Sequence, residues 1–349
     1  MEDLVANCNV SGIRRLVVPR ELKHALPAPK ISLDTALAGR RAVRAIMHGE
    51  DPRFLVITGP CSVHDPVAAL DYARRLREAA EKYRSRLCIL MRVYFEKPRT
   101  VHGWKGLIND PHLDDSFDLA EGLRRARQLL IDVTALGLPA ATEMLDPVTP
   151  QYLDDLISWV AIGARTTESQ THRQMASGLT APVGFKNGTD GTTQTAIDAI
   201  ASATRPHHFL GVDDEGRVGI VATKGNPHCH LVLRGGRSGP NYGAEAVSDA
   251  CARLKTANVE PRIMVDCSHA NARGDFHRQA EVWRDVLALR KGGQGAFIGA
   301  MLESNLKEGK QPLVSDPSRL EYGVSITDPC IDWKTTAELL AEANAVLGQ

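Results

Sequence analysis

The sequence predicts an α/β protein, a (β/α)8 barrel with an N-terminal extension and an inserted β-hairpin. Three observations carry that expectation. Eight short apolar runs, at 54–58, 87–93, 139–143, 159–163, 181–186, 230–234, 262–266 and 296–302, recur along the chain. Stretches of helical periodicity separate them. Each run also ends on, or within a few residues of, a polar or charged group: Cys61, Arg92, Glu143, Arg165, Lys186, Arg234, His269 and Glu303. Parallel strands that present polar groups from one edge describe a barrel whose chemistry sits at the C-terminal rim. That pattern points to an enzyme.

In chain order, residues 1–50 carry Pro19, Pro27 and Pro29 and then a basic amphipathic segment at 37–47. They are expected to form an arm and a helix, concerned with assembly or regulation, that precede a catalytic barrel over 51–349. Such an arm often packs on another subunit, so a homo-oligomer, a dimer or tetramer, is expected. From 65 to 84, Val67, Leu70, Ala73, Leu76, Ala80 and Tyr83 recur at steps of three and four and give a helix with one buried stripe. Asp65-Pro66 supplies its cap and first turn. Leu123, Ala126, Leu130 and Val133 repeat the spacing before Gly137, and Ala280, Trp283, Val286 and Leu287 do so before Gly292-Gly293. One stretch, near 205–228, breaks the rhythm. There Phe209-Leu-Gly-Val212 and Val218-Gly-Ile-Val-Ala222 flank Asp213-Asp-Glu-Gly216, which reads as a β-hairpin with a glycine-bearing turn.

Composition narrows the function classes. A chain of 349 residues holds one barrel of about 250 residues plus extensions, or two ordinary domains. Forty-two basic and 42 acidic side chains cancel, and no basic tail or like-charge run is present, which argues against nucleic acid or an anionic membrane as partner. The seven cysteines (8, 61, 88, 229, 251, 267 and 330) include no Cys-x-x-Cys pair and follow no secretory leader. They read as reduced thiols in a cytoplasmic protein. No apolar stretch approaches the roughly 20 residues that cross a bilayer.

Two constellations carry chemistry. Cys61 after the first run, with His269, Glu303 and Asp328 near later strand ends, could bring one thiolate, one imidazole and two carboxylates together. Soft sulfur mixed with hard oxygen suits manganese, iron, cobalt or zinc rather than magnesium or calcium. Taken singly, a cysteine is usually a buried hydrophobe and a glutamate a solvated charge; only shared placement at strand ends raises them. The second set is basic: Arg92, Lys97, Arg99 and Lys105 around one loop, with Arg165, Lys186 and Arg234 after later strands. Cations facing one rim in a neutral protein expect anionic ligands, and guanidinium forks suit carboxylate and phosphate. Any one of them alone is more simply a surface charge paired with Asp or Glu. Lys186, following Ala-Pro-Val-Gly-Phe, is expected to be buried near other cations with a depressed pKa.

At this point the sequence resembles a known family. The segments Gly59-Pro-Cys-Ser62, Met91-Arg-Val-Tyr-Phe-Glu-Lys-Pro-Arg-Thr100, Gly103-Trp-Lys-Gly-Leu-Ile-Asn-Asp-Pro111, Ala161-Ile-Gly-Ala-Arg-Thr-Thr-Glu-Ser-Gln170, Pro182-Val-Gly-Phe-Lys-Asn-Gly-Thr-Asp-Gly191, Leu233-Arg-Gly-Gly236, Val265-Asp-Cys-Ser-His269 and Ser325-Ile-Thr-Asp328 resemble class I 3-deoxy-D-arabino-heptulosonate 7-phosphate (DAHP) synthases. The resemblance implies metal-dependent condensation of phosphoenolpyruvate with erythrose 4-phosphate, the first step of aromatic amino acid biosynthesis. Carried over residue by residue, it implies metal ligation by Cys61, His269, Glu303 and Asp328. Phosphoenolpyruvate is then held by Arg92, Lys97, Lys105, Arg165, Lys186 and Arg234, with Glu143 beside them. Arg99 and Thr100 resemble the residues that hold the phosphate of erythrose 4-phosphate. Lys97 is the candidate proton donor, its pKa expected to be lowered by neighbouring cations. One departure is Thr100-Val101-His102-Gly103-Trp104, where many members read Thr-Thr-Val-Gly-Trp. His102 there is read as loop filler.

The resemblance further implies feedback control. An effector pocket is expected at Met144, Pro150, Gln151, Met175, Leu179, Thr180, Phe209, Gly211 and Val221, mostly apolar as an aromatic ring requires. Phenylalanine-sensitive relatives tend to carry serine where this chain has Gly211, and segments such as Leu145-Asp-Pro147 look closer to tyrosine-sensitive ones. Tyrosine is therefore the expected effector. Three other readings compete: 3-deoxy-D-manno-octulosonate 8-phosphate synthase, a Cys61/His269 thiol hydrolase, and a non-catalytic sensor of aromatic amino acids.

Overall fold

A computed structural model of the chain describes residues 5–348 apart from 102 and 315. His102 and the first four residues of the arm thus lie outside the described residues. Ten strands form: β1 Phe54–Gly59, β2 Leu87–Arg92, β3 Ala140–Glu143, β4 Trp159–Ile162, β5 Val183–Lys186, β6 His208–Val212, β7 Val218–Ala222, β8 Cys229–Leu233, β9 Ile263–Asp266 and β10 Phe297–Glu303. Eight of them close into a barrel in the order β1-β10-β9-β8-β5-β4-β3-β2, every pairing parallel. All eight apolar runs became its strands. The seam between first and last strands is in register, with Gly59 opposite Glu303 and the Ser304 N–H donating to Gly59 O at 2.9 Å.

Strand periodicity of two sorts the side chains into layers. Leu55, Ile57, Cys88, Leu90, Ala141, Trp159, Ala161, Val232, Met264 and Met301 pack inside the barrel. Phe54, Val56, Leu87, Ile89, Val160, Val183, Leu231, Ile263 and Phe297 face outward against the helices. Continuing the inward parity to the C-terminal ends of the strands delivers Arg92, Glu143, Lys186, Asp266 and Glu303, all buried. The helix Pro66–Lys82 begins as its sequence implies, with the Asp65 side chain accepting from the N–H groups of Val67 and Ala68.

The basic amphipathic segment is the helix Lys30–His48, which ends on Gly49 in the left-handed conformation at φ 75°. Its Val43, Ile46 and Met47 join the inner core, so this helix stops the N-terminal end of the barrel. Arg40 fastens it by donating to Ile157 O at 2.8 Å. The arm before it has no regular structure from residue 5 to 18, and Val5 and Ile13 are 83% and 85% exposed.

The inserted hairpin is present as β6 and β7, antiparallel, with Phe209 opposite Val221 and Gly211 opposite Gly219. Its turn closes through Asp213 N–H to Arg217 O and Gly216 N–H to Asp213 O, with Gly216 at φ 70°. One hairpin face turns inward with Phe209, Gly211 and Val221. The other leaves Leu210, Val218 and Ile220 about four-fifths exposed.

Candidate active site

At the C-terminal rim a cavity is lined by Arg92, Lys97, Pro98, Arg99, Glu143, Gly163, Ala164, Arg165, Lys186, Thr189, Arg234, His269 and Asp328. Six of the seven expected cations are there. Lys105 is exposed and does not line it, nor does Thr100. Lys105 instead contributes its carbonyl, which accepts from the Lys97 N–H at 2.8 Å and folds the loop so that Lys97 turns inward.

The cations are not all waiting for a ligand. Arg92 is 1% exposed, donates to Glu303 Oε1 at 2.8 Å and to the carbonyls of Pro60 and Cys61 at 3.0 Å, and lies 3.5 Å above the Tyr94 ring. Burial alone would lower its pKa, but Tyr94, Glu303 and Cys61 outweigh that and keep it charged. Lys186 is buried as expected, yet its neighbour at 2.8 Å is the Asp266 carboxylate rather than only other cations. Arg99, Arg165 and Arg234 form no ion pair among the described residues; Arg165 donates to Pro98 O and Arg234 to Gly235 O. Burial and the charge of Arg165 lower the Arg234 pKa, against the opposing pull of Asp266.

Beside the cations lies the thiol. Cys61 is buried, with Lys97 Nζ 3.1 Å and Asp328 Oδ2 3.3 Å from its Sγ. Burial, reinforced by Glu303 and Asp328, pushes this thiol up to about 11. Ligand atoms of Cys61, Glu303 and Asp328 all fall within 4.8 Å of one another. One thiolate and two carboxylates at that spacing fit a first-row transition ion with bonds of about 2.0–2.3 Å after small side-chain movements. His269 stands at the edge of this group, Nε2 3.9 Å from Glu303 Oε1. A second cleft, past Ala270, Gly274, Phe276 and Pro329, reaches His269, Glu303 and Asp328 from the other side.

Lys97 departs from its expected electrostatics. Burial does disfavour its charge, but Cys61, Glu303 and Asp328 together raise its pKa instead of lowering it. The expectation counted the cations in the loop and missed the anionic cluster that Lys97 meets, with Asp328 Oδ2 at 3.7 Å. Asp328 in turn is held down to about 2, because Lys97 and His269 outweigh its burial.

The sequence reading missed Asp266, which is fully buried and touches both Lys186 and His269. Burial alone would raise its pKa, yet His269 and Lys186 hold it well below the usual carboxylate range. A signal was available: Asp266 follows Met264 by two residues and shares its inward parity.

A separate cavity lies under the hairpin, lined by Pro147, Pro150, Gln151, Asp154, Met175, Gly178, Leu179, Phe209, Gly211, Val212 and Val221. Seven of the nine expected effector residues are among these. Met144, fully buried, and Thr180, whose carbonyl accepts from Arg44, are not among the lining residues. Asp154, unforeseen, also lines it, with its Oδ1 3.8 Å from the Arg40 guanidinium. A Cβ at Gly211 would stand 2.6 Å from Val221 Cγ2, so Val221 already takes much of the space that the glycine frees.

Known proteins share this sequence and shape. The sequence profile of the DAHP synthetase I family matches residues 29–341. The Tyr-sensitive phospho-2-dehydro-3-deoxyheptonate aldolase of Salmonella typhimurium is 50% identical over 341 residues, 98% of this chain and 96% of that protein. The Phe-sensitive enzyme of Escherichia coli is 53% identical over 338 residues, 97% of this chain and 96% of that protein. The solved phospho-2-dehydro-3-deoxyheptonate aldolase of Francisella tularensis superposes with a TM-score of 0.95 at 47% identity, covering 97% of this chain and 99% of that one. The apolar runs, the closed barrel and the full-length matches agree: the chain belongs to the DAHP synthetase I family.

Proposed function

We propose that this chain condenses phosphoenolpyruvate with erythrose 4-phosphate and water, giving DAHP and phosphate at the head of aromatic amino acid biosynthesis. The observation that carries the reading is one cavity wall shared by two chemistries. His269 and Asp328 line the cation-rich pocket, and both adjoin the Cys61 and Glu303 ligand atoms.

In this reading Cys61, His269, Glu303 and Asp328 hold a divalent transition ion, and Arg92, Arg165, Lys186 and Arg234 hold phosphoenolpyruvate. Arg99, at the outer end of the cavity, takes the phosphate of the aldose, with Thr100 beside it in the loop. Lys105, exposed, contributes through the loop it closes on Lys97. When bound, the ion supplies Lewis-acid polarisation of the aldose aldehyde. The methylene carbon of phosphoenolpyruvate then forms the new C–C bond, and the aldehyde oxygen gains charge. Lys97, 3.1 Å from Cys61 Sγ and 3.7 Å from Asp328 Oδ2, delivers a proton to that oxygen. Water adds at the former enol carbon, and the hemiketal phosphate collapses by C–O cleavage while the cations hold the departing phosphate. Glu143 Oε1 is buried without a partner beside this point, an acceptor able to orient that water.

The cavity under the hairpin is the proposed seat of an aromatic amino acid effector, tyrosine in preference to phenylalanine. Its apolar walls suit the ring, and Asp154 offers the polar partner that a buried phenol needs. Assembly as a homo-oligomer is supported by the exposed apolar residues of the arm, Val10 and Ile13, and of the hairpin, Leu210 and Ile220. The free thiols of Cys61, Cys88, Cys229, Cys251, Cys267 and Cys330 and the lack, among the described residues, of a helix able to cross a membrane support a cytoplasmic setting.

The deciding assay measures product from phosphoenolpyruvate with erythrose 4-phosphate or a five-carbon aldose phosphate, before and after chelation. Turnover with the four-carbon sugar alone, lost with the metal, is expected. Preference for the five-carbon sugar, or full activity without metal, overturns the reading.

A further inference from the structure

We infer that Asp266 is a positioning residue that fastens the metal-binding histidine and the phosphoenolpyruvate-binding lysine to one another, so that neither half of the site keeps its geometry alone. The inference rests on the assignment of His269 and Lys186 proposed above. Asp266 is the last residue of β9, opposite Met301 in the barrel register, and is completely buried. Its Oδ1 accepts from the Ser268 N–H at 3.0 Å and the Ser268 hydroxyl at 2.6 Å. Its Oδ2 accepts from Lys186 Nζ at 2.8 Å and meets His269 Nδ1 at 3.0 Å. Four polar neighbours fill the acceptor capacity of an ionised carboxylate, about four lone-pair sites. This carboxylate has no capacity left for a ligand.

Two consequences follow from that arrangement. A carboxylate at Nδ1 draws the imidazole proton to that nitrogen and leaves the Nε2 lone pair, which points towards Glu303, for a metal. The backbone of His269 sits at φ 56°, a conformation uncommon for a residue with a Cβ, and the Asp266 and Ser268 contacts hold the ring there. The same Oδ2 anchors the Lys186 ammonium with one of its three donors and leaves the rest for an anion in the cavity. Asp266 lies neither in that cavity lining nor in the close ligand group, so it acts through the residues around it.

The test compares Asp266→Asn with His269→Ala and Lys186→Met. Two affinities are measured for each: manganese alone, by chelator competition on metal-free protein, and phosphoenolpyruvate, by calorimetry at saturating manganese. The visible spectrum of the cobalt-loaded protein reports whether the imidazole is still bound. Asp266→Asn is expected to weaken manganese by about 10–100-fold, to alter the cobalt spectrum, and to weaken phosphoenolpyruvate in the same protein. His269→Ala should act mainly on the metal and Lys186→Met mainly on the substrate. Because a lone buried lysine destabilises the barrel, Asp266→Asn/Lys186→Met is made as well. Lost manganese affinity in that double variant, at a wild-type thermal midpoint, supports positioning. Wild-type manganese affinity in Asp266→Asn, where His269→Ala has lost it, overturns the inference alone. Wild-type affinity in His269→Ala overturns the ligand assignment and the inference with it.

Discussion

The barrel rim and the hairpin cavity are built on opposite principles. At the rim, charged side chains stand on strands whose register is fixed by the closed ring, and buried carboxylates hold them: Glu303 on Arg92, Asp266 on Lys186. Under the hairpin, apolar side chains line a cavity whose roof is a two-stranded ribbon with one face open to solvent. A site that must place charge needs a scaffold without edges, whereas a site that reports ligand can sit beneath an element free to shift. Damage at the rim should therefore abolish activity or stability, and damage at the hairpin should change control or assembly.

The largest expected effect is loss of the metal set. Cys61→Ala or His269→Ala should reduce turnover on the order of a thousandfold or more, read in steady-state assays at saturating manganese. Activity within a few-fold of wild type would remove that residue from the ligand set. Cys61→Ser should further lower affinity for softer ions more than for manganese, since a hydroxyl replaces a thiolate.

Stability separates the regions next. Glu303→Ala leaves Arg92 buried without its carboxylate, and breaking such a pair costs about 3–5 kcal/mol. Leu210→Ser with Ile220→Ser touches exposed positions and should leave the monomer's unfolding midpoint within about 0.5 kcal/mol of wild type. Sedimentation of that pair should show weaker assembly. A hairpin variant that unfolds, or a Glu303 variant that does not, would erase the contrast.

Glu96 stands on the border between the two regions. It accepts from the N–H groups of Leu145 and Asp146 and from the Thr149 hydroxyl, tying the end of β2 to the loop that leads into the hairpin cavity. Burial, then Asp146, raises its pKa from the ordinary 4.5 to about 8. The unfolded chain releases this proton first, so the contribution of Glu96 to stability is full below pH 4.5 and declines as pH rises towards 8. Urea midpoints at pH 5 and pH 8 test this: the wild type should lose ground to Glu96→Gln between them. An equal gap at both pH values would show that Glu96 ionises normally.

The smallest effect is the most specific. Gly211→Ser must push Val221 aside, narrowing the cavity, and should shift inhibition from tyrosine towards phenylalanine by up to about tenfold while uninhibited turnover stays unchanged. Inhibition constants for both amino acids decide it. Stronger inhibition of the wild type by phenylalanine would reverse the effector assignment.

The difference between the regions also governs how much could be read from the chain. Alternation along a strand is local, so the eight barrel strands and the inward places of Arg92, Glu143, Lys186 and Glu303 were legible. Pairing across the ring is not local: Arg92 and Glu303 are 211 residues apart, and nothing near Lys97 announces the carboxylates that raise its pKa. Asp266 was legible by parity, although the polar group that its run delivers by motif is His269. The hairpin cavity had no such periodic signal. Its outline came through family resemblance, which named seven of the residues that line it and omitted Asp154.

The seam of the barrel has a consequence for how the protein comes into being. Gly59 pairs with Glu303 where the ring closes, and the ligand atoms gather there from both ends of the chain, Cys61 from just after the first strand, Glu303 from the end of the last and Asp328 from the segment beyond it. During synthesis the chain carries its thiol and most of its cations long before its carboxylate partners exist. The place proposed for the ion is thus made last, by the same event that joins the two edges of the sheet. A bound metal would act as a clasp on that joint, adding its binding energy to the step that turns an open sheet into a barrel.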